Sequence, residues 1–138
     1  MPSTFTTQRR VEWRDTDAAG IMHFSTFFTF MEEAEHELLR SLGLSVSMDY
    51  DDAHISFPRV AAKCDFSQPL KFEDLFAIKV SVERLGTKSV TYAFQFVREE
   101  NEIANGTMTC VCCNMDESPP RSIPLPASVT AKLKAFLR

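Results

Sequence analysis

The run Phe76-Ala77-Ile78-Lys79-Val80-Ser81-Val82-Glu83, the turn Leu85-Gly86-Thr87-Lys88 and the run Ser89-Val90-Thr91-Tyr92-Ala93-Phe94-Gln95-Phe96 decide the fold class. In both runs apolar side chains alternate with small or polar ones, the period of a strand with one buried face. The short turn between them predicts a hairpin. Glu99-Glu100-Asn101-Glu102 then separates a third strand, Ile103 to about Met115, so an antiparallel meander is the simplest topology. Two earlier pieces, Thr4 to Trp13 and Ile55 to Ser67, have strand composition with weaker alternation, and Pro58 suits an edge strand or a strand start.

Upstream of the strands the period changes. Phe27, Phe30, Met31, Ala34, Leu38 and Leu42 recur at three- and four-residue steps, while Glu32, Glu33, Glu35, His36, Glu37 and Arg40 fall mostly elsewhere. The spacing predicts an amphipathic helix of about 17 residues, with Ser25 as N-cap and Gly43 just past the C-terminus. Its apolar stripe needs a cover, and a sheet of four to six strands wrapped around it supplies one, so the class is α+β. The other sheet face carries Ala77, Ser81, Thr91, Ala93 and Gln95, which predicts partial burial against a second subunit. The acidic stretch around Asp49, Asp51 and Asp52 has no clear pattern. Beyond Pro119, Pro120, Pro124 and Pro126 a short helix presents Val129, Leu133, Phe136 and Leu137 on one side.

With 138 residues and no repeat or low-complexity stretch, residues 1–138 read as one domain. A hydrophobic fraction of 44% and a charged fraction of 25% exclude a disordered chain or a collagen-like repeat. The net charge of −4 argues against a uniformly basic nucleic-acid protein. No apolar run approaches the roughly 18 residues of a membrane span, and the N-terminus lacks a secretory pattern, so a cytoplasmic location is expected. Cys110, Cys112 and Cys113 crowd one segment and Cys64 stands apart, which predicts reduced thiols, and no histidine is spaced with them as a zinc ligand or a base.

The densest polar cluster is Arg14-Asp15-Thr16-Asp17-Ala18-Ala19-Gly20-Ile21-Met22-His23-Phe24, between a predicted strand and the predicted helix start. Backbone N–H groups at a helix N-terminus, with the positive end of the dipole, stabilise an oxyanion. A carboxylate beside them can attack the carbonyl or activate water, which together describes acyl transfer. The same spacing also serves plain turn and capping chemistry, and spacing alone leaves both open. A metal held by Asp15, Asp17 and Glu32 is the weaker reading, because hard cations take more oxygen ligands than these supply.

Asp15-Thr16-Asp17-Ala18-Ala19-Gly20-Ile21, followed by Phe27-Phe28 and Glu32-Glu33-Ala34, resembles the signature of the 4-hydroxybenzoyl-CoA thioesterase family of hotdog-fold proteins, which includes the Tol-Pal-associated type. Asp65-Phe66-Ser67-Gln68-Pro69-Leu70, Phe72-Glu73-Asp74, Gly86-Thr87-Lys88-Ser89, Ile103-Ala104-Asn105-Gly106 and Ile123-Pro124 extend the resemblance over nearly the whole chain. It implies a long central helix wrapped by a curved antiparallel sheet of about five strands, a homodimer or homotetramer, and acyl-CoA hydrolysis at the subunit interface without metal or redox cofactor. Asp17 then matches the nucleophile or general base, Phe24 the position whose backbone N–H polarises the thioester, and Glu32 the helix acid near the acyl group. Gly20, His23, Phe27 and Phe28 fall around the substrate. Several members place a histidine where this chain has Phe24, and His23 comes one position early.

The phosphates of CoA require a local cationic patch. Lys88, with Ser89, lies in the turn that matches a CoA-contacting region, with Arg84, Arg59 and Lys63 as further candidates and the basic C-terminal segment (Arg121, Lys132, Lys134, Arg138) as another. Two rival functions share the fold: a non-catalytic acyl-CoA-binding module, and a hydratase or dehydratase, which would need a placed acid/base pair.

Overall fold

A computed structural model describes residues 3–138. Helix α1 (Phe24–Ser41) carries Phe27, Phe30, Met31, Ala34, Leu38 and Leu39 into the core, as its spacing dictates. It lies against a five-stranded antiparallel sheet in the order β1 (Phe5–Arg10), β5 (Leu75–Leu85), β6 (Ser89–Arg98), β7 (Asn101–Val111), β4 (Arg59–Phe66). Phe76, Ile78, Val80 and Val82 of β5 and Tyr92, Phe94 and Phe96 of β6 are all buried, so the period of two in the sequence marks the face turned to the helix. This is the hotdog architecture that the resemblance implies.

Several boundaries differ from the sequence reading, each for a physical reason. Ser25 is not the N-cap: the bond from His23 N–H to the Asp15 carbonyl (2.8 Å) and the Thr16–Met22 bridge end the extended chain two residues earlier, and His23 caps the helix instead. Ile55 to Ser67 is not one strand. It breaks at Phe57-Pro58 into β3 (Ala53–Ser56) and β4, which belong to different sheets. The acidic stretch is a hairpin of β2 (Ser47–Tyr50) and β3, turned by Asp51 and Asp52 at φ 52° and 62°. With β8 (Cys113–Asn114) and β9 (Arg121–Ser122) it forms a second, four-stranded sheet that the sequence did not announce.

At the C-terminus α2 (Ala127–Leu133) buries Val129 and Leu133, and Lys132 Nζ donates to the Leu42 carbonyl at 2.8 Å, capping α1. The opposite flank of α1 is tied to β1. Glu37 accepts from the Thr7 hydroxyl at 2.7 Å and pairs with Arg9, and although burial pushes its carboxyl up, these two partners hold it below the usual glutamate value.

At Gly106 on β7 the Met31 side chain of α1 packs tightly over the sheet. A Cβ there would meet Met31 Sδ at 2.7 Å and the Lys63 carbonyl at 3.0 Å, and Met31 is fully buried. Gly106→Ala therefore has to push the end of the buried Met31 side chain out of its place and crowd the Lys63 carbonyl, and thermal unfolding is expected to show a loss of about 1–3 kcal/mol. An unchanged midpoint would contradict this packing.

Candidate active site

After β1 the chain makes a short 3-10 turn, Trp13–Asp15, and doubles back so that Thr16 and Met22 bridge. Asp15 and Asp17 divide the roles of their motif. Asp15 is 9% exposed, its carboxylate accepts the Glu12 N–H at 2.8 Å and its carbonyl the His23 N–H, so it braces the loop. Asp17 stands at the tip, half-exposed, where the Asp17 N–H donates to the Ile21 carbonyl and its own carbonyl accepts the Gly20 N–H, both at 2.9 Å. Gly20, at φ 81°, closes that turn in a backbone region that side chains resist. Asp17 Oδ1 accepts the Ala19 N–H at 2.8 Å, and Oδ2 has no partner among the described residues. One carboxylate oxygen is thus fixed by the turn.

The chain then enters α1 at its positive end. His23 takes up two of the first N–H groups: its Nδ1 accepts from Ser25 N (3.1 Å) and its carbonyl from Thr26 N (3.0 Å). The Phe24 N–H has no acceptor among the described residues. The His23 ring caps the helix through Nδ1 and stacks on Phe24 at 4.6 Å between centroids. Phe24 is 61% exposed, and Phe27 beneath it packs edge-on against the half-exposed Phe66 at the end of β4 (5.0 Å), while Phe28 is partly buried. A carboxylate, an N–H on a helix dipole without an acceptor among the described residues and an apolar aromatic wall together suit attack on an acyl carbonyl.

A second polar cluster lies further along α1. A bulge between Arg59 and Ala61 turns the Arg59 side chain toward the helix, where it forms a two-point pair with Glu35. The guanidinium also reaches the Phe57 carbonyl (3.0 Å), Cys110 Sγ (3.2 Å), Glu32 (3.4 Å) and His36 Nε2 (3.4 Å). Burial pushes the Glu35 carboxyl up against the pull of Arg59, pushes Cys110 up to about 12, and lowers His36. The sequence reading missed Glu35 as a buried residue, although its register was visible: it follows Met31 by four residues and precedes Leu38 by three, on the apolar stripe. Arg59, offered as a phosphate ligand, is occupied by this pair.

Glu32 lies eight residues beyond Phe24, about 12 Å along the helix axis. It faces Arg59 and solvent. The remaining cationic candidates are further away still. The loop of Asp17 joins the start of β5, where Met22 N–H meets the Leu70 carbonyl and Val11 N–H the Asp74 carbonyl. Arg84, Lys88 and Ser89 sit at the other end of β5, which spans 11 residues, or about 33 Å. Lys63 is exposed on the sheet face turned away from α1, paired with Asp65 at 3.5 Å. One chain brings together Asp17, Gly20, His23, Phe24, Phe27 and Phe28, and keeps the phosphate candidates apart from them. Among the described residues no helix is long and apolar enough to cross a membrane, and no group of three or more His, Cys, Asp or Glu is placed to hold a metal ion.

Residues 11–133 match the sequence profile of the thioesterase-like superfamily. A solved gentisyl-coenzyme A thioesterase is 33% identical, superposes with a TM-score of 0.82, and the alignment covers 94% of this chain and 99% of that one. A 1,4-dihydroxy-2-naphthoyl-CoA hydrolase of Prochlorococcus marinus is 30% identical over 114 residues, 78% of this chain and 76% of the relative. The solved 1,4-dihydroxy-2-naphthoyl-CoA thioesterase of Synechocystis, at 23% identity, TM-score 0.84 and 96% coverage of both chains, shares the fold. With nearly its whole length matched, the chain belongs to the thioesterase-like superfamily.

Proposed function

We propose that this protein hydrolyses an acyl-CoA thioester to the free acid and CoA, with Asp17 as the reacting carboxylate. The observation that carries the reading is the half-exposed Asp17 carboxylate, with Oδ2 unpartnered, on the loop that leads into the unpaired Phe24 N–H of α1. The thioester oxygen takes the Phe24 N–H, and charge that builds on it meets the helix dipole. Asp17 either attacks the carbonyl carbon, so that CoA thiolate leaves and water later cleaves the mixed anhydride, or removes a proton from the water that attacks. His23 needs no proton-transfer role in either route.

The acyl group lies against Phe24, Phe27, Phe28 and Phe66, a wall that suits a planar aromatic group. The named activities of the relatives, on gentisyl- and dihydroxynaphthoyl-CoA, support an aromatic acyl group, as does the resemblance to 4-hydroxybenzoyl-CoA thioesterases. Lys88, Ser89 and Arg84 hold the CoA phosphates from a second copy of the chain. Edge strand β4 supports that arrangement: it is exposed over most of its length, with Val60 61% exposed, and antiparallel pairing with its counterpart sets the Asp17 end of one copy beside the Lys88 end of the other. Glu32, on the same flank as β4, then faces the shared site.

Mixing two impaired variants tests the shared site. Asp17→Asn and Lys88→Glu, co-refolded at subsaturating substrate, are expected to recover about a quarter of wild-type thiol release, because half the pairs are mixed and each carries one intact site. Activity no higher than the sum of the two parents would place the whole site in one chain. A wild-type protein that releases no thiol would overturn the hydrolase itself.

A further inference from the structure

The chain's only tryptophan, Trp13, is the most exposed large apolar side chain among the described residues, at 74%. A lone exposed apolar residue is ordinary on a protein surface, but Trp13 is not alone. Its ring meets Phe72 edge-on at 5.4 Å between centroids, and Phe72 and Leu75 are themselves 42% and 59% exposed. The two segments that carry them are bonded together: the Val11 N–H donates to the Asp74 carbonyl and the Glu73 N–H to the Val11 carbonyl, both at 2.9 Å. Arg98 ties down the turn between them, donating to Asp74 Oδ2 at 2.9 Å, and the same oxygen accepts the Lys71 N–H at 2.8 Å. The patch is therefore built into the frame where β1 ends and β5 begins.

Its charge runs against that of the chain. Arg10, which stands opposite Leu75 across the β1–β5 pair, Arg14 and Lys71 are all exposed and have no ion partner among the described residues. Asp74 is paired with Arg98, which leaves Glu12 and Glu73 against these three cations, a local positive excess on a chain of net charge −4. Exposed rings beside unpaired arginine and lysine suit the boundary of an anionic bilayer, where an aromatic ring settles at the headgroup level and basic side chains meet lipid phosphates. A small ligand takes a concave seat instead. Trp13, Phe72 and Leu75 line neither the trough of about 1090 Å³ on the sheet face turned away from α1 nor the pocket of about 460 Å³ beside the β2–β3 hairpin.

We infer that this corner docks on an anionic lipid surface, with Trp13, Phe72 and Leu75 at the headgroup level and Arg10, Arg14 and Lys71 on the lipid phosphates. The contact is peripheral and reversible, and no element crosses the bilayer. Asp17 follows Trp13 by four residues, so docking sets its loop beside the lipid. The inference does not depend on what the protein hydrolyses.

Trp13 reports on its own surroundings, since no other tryptophan contributes to the emission. Titrating the full chain with vesicles of phosphatidylglycerol and phosphatidylcholine in equal parts is expected to move that emission to shorter wavelength and to make it severalfold harder to quench with acrylamide. On phosphatidylcholine alone, or at about 1 M salt, where the screening length falls to about 3 Å, the shift is expected to shrink severalfold. In co-sedimentation, Trp13→Ala and the charge reversal Arg10→Glu with Lys71→Glu are each expected to lower the bound fraction about tenfold. Emission and sedimentation that ignore anionic vesicles overturn the inference, and binding that survives both variants removes it from this corner. Emission already at short wavelength without lipid, the mark of a second copy seated on the patch, overturns it too. A shift produced by an acidic protein and not by vesicles would make the surface a protein docking site and overturn the lipid assignment.

Discussion

Asp17→Asn is expected to lose two or more orders of magnitude in thiol release from acyl-CoA while its circular dichroism and thermal midpoint stay those of the native chain. The substitution keeps the shape and an oxygen that can still accept the Ala19 N–H, so the turn closed by Gly20 survives. What it removes is the carboxylate that, in the proposed reaction, attacks the carbonyl or takes the proton of water. Two orders of magnitude correspond to about 3 kcal/mol of barrier, which a lost nucleophile or base reaches readily. Because the side chain is half-exposed and makes one hydrogen bond to the backbone, stability has little to lose. Near-native turnover in the variant would remove Asp17 from the reaction.

The second large effect is on stability. Arg59→Met leaves the Glu35 carboxylate, 1% exposed, without its cation, and breaking a buried pair from one side costs about 3–5 kcal/mol. The loss depends on pH, with a definite sign. Burial already raises the Glu35 carboxyl above the 4.5 of an unperturbed glutamate, and Arg59 opposes that rise. Without Arg59 it rises further. A carboxyl raised on folding favours the folded state below its unfolded value and loses that contribution as pH climbs through the raised one. Urea unfolding is therefore expected to show the variant nearest to wild type under mildly acidic conditions and furthest from it under mildly alkaline ones. Replacing the pair together, Arg59→Met with Glu35→Leu, recovers most of the loss, since apolar partners of similar size carry no desolvation cost. A deficit that is the same at both pH values would show that Glu35 does not titrate with its surroundings as described.

The legible parts of the fold are those with two unlike faces. β5 and β6 each turn one side to α1 and the other away, so alternation marked them, and α1 shows its stripe for the same reason. β4 has no such contrast: as an edge strand it is exposed on both faces for most of its length, and its composition therefore reads as indistinct. The β2–β3 hairpin is too short to display a period, and its turn is made by Asp51 and Asp52, where glycine or asparagine would have been the clearer signal. In the site, the loop around Asp17 was readable because every part of it is contiguous in sequence. Glu35 and Arg59 were not, because their pairing depends on a bulge that redirects one side chain across 24 residues of sequence. The separation of Lys88 from Asp17 is likewise a consequence of strand length and direction, which a turn motif does not carry.

Thiol release by the wild-type protein from hydroxybenzoyl-, benzoyl-, butyryl-, octanoyl- and palmitoyl-CoA, with Asp17→Asn beside it, tests the central claim most directly. The account predicts rapid release with the aromatic thioesters, slower release with the aliphatic ones, and loss of both in the variant. Acyl-CoA that binds but yields no thiol across the panel would contradict it and identify the protein as a binding module on a thioesterase fold.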